Sequence, residues 1–285
     1  MTFAALRGHS ANLVGVPTGL LASAAFNDFP LTLHIRGVHE HHALLFDGLA
    51  MAGSQAEAGH TFQDYMDDTF GLRQPNADPG GVRRHRASYL RLLKGWGYDA
   101  NSREGAVVKG WAESRFGLFP TFHKTPLARF ASPAWSRYVE DKLSSRFHNN
   151  AIYAQLDLLY EFCQWSLARW LPPGQRHLTL YRGVNDFHEI SLFGRPHPRK
   201  GPSTSLRTGP STPLRTGPAL VRLNNVSSFS AHRDIACEFG DTLLEAQVPT
   251  VKILFCNDLL PRHTLQGEAE YLVIGGDYRV TVSVY

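Results

Sequence analysis

No stretch of the 285-residue chain approaches the roughly 20 consecutive apolar residues that cross a bilayer as a helix. A helical membrane protein is thereby excluded. The first nineteen residues hold Arg7, His9, Asn12 and Pro17 without a sustained apolar run, so no secretory signal is expected there. Cysteine is scarce. Cys163, Cys237 and Cys256 are odd in number, far apart and set among apolar residues, which predicts buried reduced thiols in a cytoplasmic protein rather than a disulfide framework. A Gly-x-Gly-x-x-Gly turn following a strand is also missing, so no doubly wound dinucleotide fold is expected. Finally, residues 191–218 contain Arg195, Arg199, Lys200, Arg207 and Arg215 but no acid. Setting these five charges aside turns the net charge of +4 into −1. The basic excess is local, which argues against a nucleic-acid-binding surface.

The rest has an ordinary globular balance, 43% hydrophobic and 19% charged, enough for one large domain or two small ones. Within the basic segment, Ser203-Thr-Ser-Leu-Arg-Thr-Gly-Pro210 is followed directly by Ser211-Thr-Pro-Leu-Arg-Thr-Gly-Pro218. Two short copies without an apolar face cannot form a solenoid and read as a flexible surface insertion over 191–218.

Before residue 172 the pattern is helical. Ser132-Pro133 reads as a helix start, and Val139, Leu143 and Phe147 follow at four-residue spacing. A second helix carries Ile152, Leu156, Leu159, Cys163, Leu167 and Trp170, and ends at Leu171-Pro172-Pro173-Gly174. Shorter candidates are 56–70 and 87–96. After residue 175 short strands take over: 177–182, 219–223, 242–248, 251–256, 270–274 and 278–284, with a short helix over 234–239. The expectation is an α+β fold. A helical N-terminal region, 1–172, packs on a mostly antiparallel β-rich region, 173–285, that carries the insertion.

Three features of the β-rich region occur in a particular order. Arg182 ends the first strand in Tyr181-Arg182-Gly183, Ser228-Phe229-Ser230 forms a later strand, and Glu268-Ala269-Glu270 opens another. Taken singly each has an ordinary structural explanation. An arginine at a strand end is commonly solvated or paired, and Ser-Phe-Ser is normal strand composition. Two glutamates at i and i+2 face one side of a strand, an arrangement that repels unless a cation or substrate shares them. Elsewhere, His39-Glu40-His41-His42 is rich in metal-ligating side chains, but no second cluster has matching spacing, and a solvated loop without metal is expected. Trp96, in Gly95-Trp96-Gly97-Tyr98, reads as a packing residue.

The order arginine, Ser-x-Ser, Glu-x-Glu resembles the arginine–serine–glutamate class of mono-ADP-ribosyltransferases, in which a helical lobe packs on a split β-core that holds NAD. The resemblance implies that Arg182 contacts the NAD diphosphate or adjoining ribose, a task suited to a planar guanidinium. It implies that Gly183 lets the dinucleotide approach the backbone and that Ser228 hydrogen-bonds the catalytic carboxylate. Phe229 would pack on the nicotinamide and Ser230 would complete the NAD site. Glu270 would be the catalytic carboxylate, and Glu268 would engage an acceptor guanidinium.

Longer runs narrow the resemblance. Gly8-His-Ser-Ala-Asn-Leu-Val-Gly-Val-Pro17, Ala25-Phe-Asn-Asp-Phe-Pro30, Gly110-Trp-Ala-Glu-Ser-Arg-Phe-Gly-Leu118, Ser145-Arg-Phe-His-Asn-Asn150, Leu180-Tyr-Arg-Gly-Val-Asn185 and Gly267-Glu-Ala-Glu-Tyr-Leu-Val-Ile-Gly-Gly-Asp277 are similar to the dinitrogenase reductase ADP-ribosyltransferase family. The family implies transfer of ADP-ribose from NAD to an arginine of the nitrogenase iron protein, which switches nitrogen fixation off, under control of a PII-type nitrogen signal protein. Other readings are a transferase with another target, an NAD glycohydrolase, or an inactive module that binds a PII-type partner. The insertion departs from the family pattern. Because lengthening a surface loop costs only about 0.6 kcal/mol per doubling, deletion of 203–218 is expected to leave the melting temperature nearly unchanged in a thermal scan. A large drop would show that the repeat is packed.

Overall fold

A computed structural model describes residues 11–72, 88–144, 150–185, 217–262 and 270–284. Its helical half comprises α1 (Thr18–Leu21), α2 (Ala24–Asp28), α3 (Val38–His41), α4 (Ala43–Ala50), α5 (Gln55–Phe70), α6 (Tyr89–Tyr98) and α7 (Arg103–Phe116). A small hairpin, β1 (Phe122–His123) with β2 (Thr125–Pro126), precedes α8 (Pro133–Lys142) and the long α9 (Asn150–Trp170). The remainder is β3 (His177–Val184), β4 (Gly217–Ser230), α10 (Arg233–Cys237), β5 (Thr242–Pro249), β6 (Ile253–Cys256) and β7 (Glu270–Val284). Helices thus precede a single five-stranded antiparallel sheet, the α+β arrangement expected from the change in periodicity.

Helix starts follow side-chain caps. Ser132 accepts a hydrogen bond from the Trp135 N–H with Pro133 in the first turn, and Ser54 and Ser102 cap α5 and α7 in the same way. Helix α8 nevertheless stops at Lys142, and Leu143 is 54% exposed. Its buried position is Tyr138, whose hydroxyl donates to Glu113 at 3.0 Å. Phe147 lies outside the described residues. Helix α9 lies along β6. Gln164 donates to the carbonyls of Thr250 and Ile253, and the Tyr160 hydroxyl to Val251 O. Asp157, one turn earlier, receives the Trp111 N–H and both arms of the Arg115 guanidinium, locking α7 to α9. One continuous apolar core runs from Phe26, Phe62 and Trp96 through Phe162 to Leu244, Ile274 and Val282.

Strand β7 organises the sheet. Along one edge it pairs with β4 from Glu270, opposite Ser230, to Val282, opposite Gly217. On its other edge it pairs with β6 around Tyr271–Val273 and with β5 around Val280–Val284. Strand β3 pairs with β5 and closes back on β4 through Tyr181 and Ser230. The pieces 270–274 and 278–284 are therefore one strand, and 219–223 and 228–230 are another. Both look interrupted in sequence because of a β-bulge. Asn224 and Asn225 together oppose Gly275, shifting the register by one residue between Leu223 and Val226. A Cβ on residue 275 would sit 1.6 Å from the Asn224 carbonyl oxygen, so only glycine fits. The bulged asparagines grip the helical half. Asn225 donates to Lys109 O and Leu118 O, and Asn224 bonds both Thr121 N and Phe122 O.

The insertion boundary needs correction. Gly217 and Pro218, the last residues of the repeat, already belong to β4 opposite Val282 and Thr281. Residues 191–216 lie outside the described residues, and a deletion that spares the sheet is 203–216.

Two lysines are buried in this framework. Lys252 is fully enclosed, donates to Gly275 O, and lies 5.3 Å from the Phe26 ring and 5.0 Å from that of Tyr278. Burial pulls its pKa down to about 7, against the opposing pull of Asp277. Because the folded pKa lies below the unfolded value, the unfolded chain binds the extra proton between the two. Stability is therefore expected to rise as pH increases from about 7 towards 10. Lys252→Met should flatten that rise and stabilise the protein most at or below neutral pH, as measured by chemical unfolding across pH. An unchanged slope would show that Lys252 is not held neutral.

Candidate active site

The site is assembled where β4 and β7 pair beyond the bulge. Ser230 opposes Glu270 and Ser228 opposes Leu272, so Ser228 and Glu270 are diagonal neighbours on one face of the sheet. The Ser228 hydroxyl donates to Glu270 Oε1 at 2.6 Å. Helix α6 delivers Trp96 onto the same oxygen, its indole N–H donating to Ser228 Oγ at 2.8 Å. Since that bond occupies the hydroxyl as an acceptor, the serine proton is directed at the carboxylate. From β3, Arg182 Nη1 donates to the Ser228 carbonyl at 2.7 Å. Three residues from three other elements thus meet at Ser228.

The electrostatics of this node are cationic. Arg182 is partly buried, which lowers its pKa from the ordinary arginine value, while the charge of Glu270 acts in the opposite sense. It stays protonated and keeps further N–H groups for an anion. Beneath it Lys109 is 1% exposed. Its ammonium nitrogen donates to Phe122 O and Asn101 Oδ1 and lies 5.9 Å from the Trp96 ring centre. Burial lowers its pKa to about 7, with Asp99 raising it and Arg182 lowering it further. A carboxylate hydrogen-bonded to serine, with a guanidinium beside it, can hold an anionic ligand near the arginine. It can also place fixed negative charge opposite a centre that becomes positive.

The other residues singled out in the sequence fall differently. Arg182 does not end its strand, since β3 continues to Val184. Gly183 serves packing, because a Cβ there would lie 2.1 Å from the Ala236 carbonyl oxygen at the end of α10. Its smallness is required whether or not a dinucleotide approaches. Phe229 alternates to the opposite face from Ser228, is 3% exposed, and packs in the core 6.5 Å from Tyr278. It is not offered to a ligand on the Ser228 face. Ser230 is buried, and its hydroxyl accepts from the His232 N–H. Glu268 lies outside the described residues. Trp96 and Lys109 are the residues that sequence reasoning passed over. Trp96 does pack, but a buried indole N–H demands an acceptor, and that acceptor is Ser228.

The chain matches the family model described as dinitrogenase reductase ADP-ribosyltransferase (DRAT) over residues 11–282. The chain belongs to the DRAT family. It is also 54% identical over 281 residues to the NAD(+)--dinitrogen-reductase ADP-D-ribosyltransferase of Rhodospirillum rubrum, an alignment covering 97% of this chain and 95% of that protein. No solved structure matches it. In this DRAT chain, no helix among the described residues is long and apolar enough to cross a membrane, and all three cysteines are free thiols. Cys163 and Cys256 are buried as expected, whereas Cys237 is only partly so.

Ser228→Ala strands the buried Trp96 N–H and is expected to cost about 1–3 kcal/mol in chemical unfolding. It should also perturb one of the five indole N–H resonances. A loss of a few tenths of a kcal/mol with all five unmoved would mean that the contact is not formed.

Proposed function

We propose that this chain transfers ADP-ribose from NAD to an arginine of the nitrogenase iron protein, dinitrogenase reductase, and thereby switches nitrogen fixation off. The observation that carries the reading is the Ser228–Glu270 hydrogen bond with Arg182 on the Ser228 carbonyl. It occurs in a chain 54% identical to a protein named for NAD and dinitrogen reductase. On this reading the β-rich region, 173–285, binds NAD, and the helical region, 1–172, supports it through α6 and α7. The free cysteines fit a reducing cytoplasm. Control by a PII-type protein rests on the family resemblance.

Breaking the bond between nicotinamide and ribose develops positive, oxocarbenium-like charge at the anomeric carbon, as in glycoside hydrolysis. Glu270 is the carboxylate that stabilises it, aimed by Ser228, whose own hydroxyl is aimed by Trp96. Arg182 holds the NAD diphosphate or the adjoining ribose through the donors that Ser228 leaves it. The nicotinamide departs with the bonding electron pair, and a nitrogen of the acceptor guanidinium forms the new bond to the anomeric carbon. A guanidinium attacks poorly while protonated. Glu268 is assigned to orient it and to take its proton as the bond forms.

Purified protein incubated with labelled NAD and iron protein should place the label on an arginine. Label-free release of nicotinamide would indicate a glycohydrolase, and no turnover an inactive module. Glu270→Gln is expected to lower both transfer and NAD hydrolysis by on the order of 10²–10³ or more, whereas Glu268→Gln should lose transfer and retain hydrolysis. Equal losses in both activities for both variants would sink the division of roles.

A further inference from the structure

Away from Ser228, a second cluster of titratable groups joins the chain's early segment to α9. Glu161, in the middle of α9, has a fully buried side chain. Its Oε1 accepts the Ile35 N–H at 2.6 Å. Its Oε2 faces two imidazoles at once, His34 Nδ1 at 2.8 Å and His39 Nε2 at 2.9 Å. The ligand atoms of the three residues lie within 4.8 Å of one another. The two rings stand edge to face at 87°, and His39 is stacked on Phe46 with centroids 3.9 Å apart, which limits its motion.

We infer that His34, His39 and Glu161 form a binding site for a borderline divalent transition metal, of which zinc is the type case. The charge argument comes first. A carboxylate with no solvent exposure requires a countercharge, and among the described residues the groups that bridge it are these two histidines. The donor chemistry comes second. Two imidazole nitrogens and one carboxylate oxygen suit zinc, cobalt or nickel, and suit magnesium or calcium poorly. Geometry comes third. Zinc sits about 2.0–2.2 Å from such ligands, so insertion between atoms now 2.8–2.9 Å apart needs the imidazoles to retreat by a few tenths of an ångström. Their exposed faces permit this, with His34 54% and His39 40% open to solvent. The same exposure leaves a coordination position for water. Three protein ligands and one water is an established zinc geometry.

The sequence hides this site because its third ligand is 122 residues away from His39. The run at 39–42 is also not the solvated loop expected of it. His39 and His41 lie on α3, and His42 lies between α3 and α4. Only His39 turns to Glu161. His41 bonds Gly37 O and His42 bonds the Tyr65 hydroxyl. A metal here would fasten the segment around Leu33–Val38 to α9, beside the contact of the Tyr160 hydroxyl with Val251.

The test uses the full chain stripped with a chelator and titrated with cobalt(II) alone, then displaced with zinc. One equivalent of cobalt giving saturable visible absorption, lost on zinc addition and accompanied by a higher melting temperature, is expected. His39→Ala and His34→Gln should each weaken binding at least tenfold. His34→Gln alters a half-exposed side chain, so it remains informative if substitution at His39 or Glu161 prevents folding. The absence of a saturable one-equivalent signal would overturn the site, as would the same affinity in wild type and both histidine variants. The three residues would then be a hydrogen-bonded clamp.

Discussion

A one-residue bulge decides whether Ser228 and Glu270 meet at all. Before it, Leu223 opposes Gly276; after it, Val226 opposes Ile274. Carried on without the shift, the earlier register would set Ser228 against Tyr271 and Phe229 against Glu270. The serine and the carboxylate would then face opposite sides of the sheet, because side-chain direction alternates with every residue. The bulge exists because Gly275 can lie under the Asn224 carbonyl and because two asparagine side chains find partners on α7 and the segment after it. Docking of the helical half and orientation of Glu270 are therefore one event.

That coupling also explains the cost built into the neighbourhood. Lys109 offers its backbone carbonyl to Asn225 and its ammonium to the β1 carbonyl of Phe122, and so it is carried into an interior that favours its neutral form. Arg182 is drawn in beside it. Burying two cations close together opposes stability, yet the Arg182 charge raises the local affinity for an anion. Sites of chemistry are commonly where a fold accepts such unfavourable terms.

Much of the fold was legible because it follows from local rules. The Ser132-Pro133 cap, the long apolar face of α9 and the switch from a period near four to a period of two all survive in the structure. Strand lengths were not legible. β4 and β7 each looked like two strands because Asn224-Asn225 and Gly275-Gly276 carry turn-forming composition, although here they form a bulge inside a continuous ladder. At the site, order along the chain was enough to bring Arg182, Ser228 and Glu270 together. The packing of Gly183 against α10 and the burial of Phe229 in the core were not legible, because they depend on which face a side chain takes and on what α10 packs against. Trp96 was invisible as a partner of Ser228, since nothing local tells a packing indole from one that hands its N–H to a serine 132 residues away.

The link between β3 and β4 has a further consequence. Val184 opposes Thr242, Thr242 opposes Val284, and Gly217 opposes Val282. Counted along the sheet through β5 and β7, the two ends of the link are about three strand spacings apart, roughly 15 Å, although β3 and β4 also meet directly at Tyr181 and Ser230. About five extended residues would bridge that distance, yet residues 185–216 stand there. Foreign sequence can thus be spliced between these strands without stretching either anchor. A reporter fused at the β3 end of that link would be joined to the chain a few residues after Arg182.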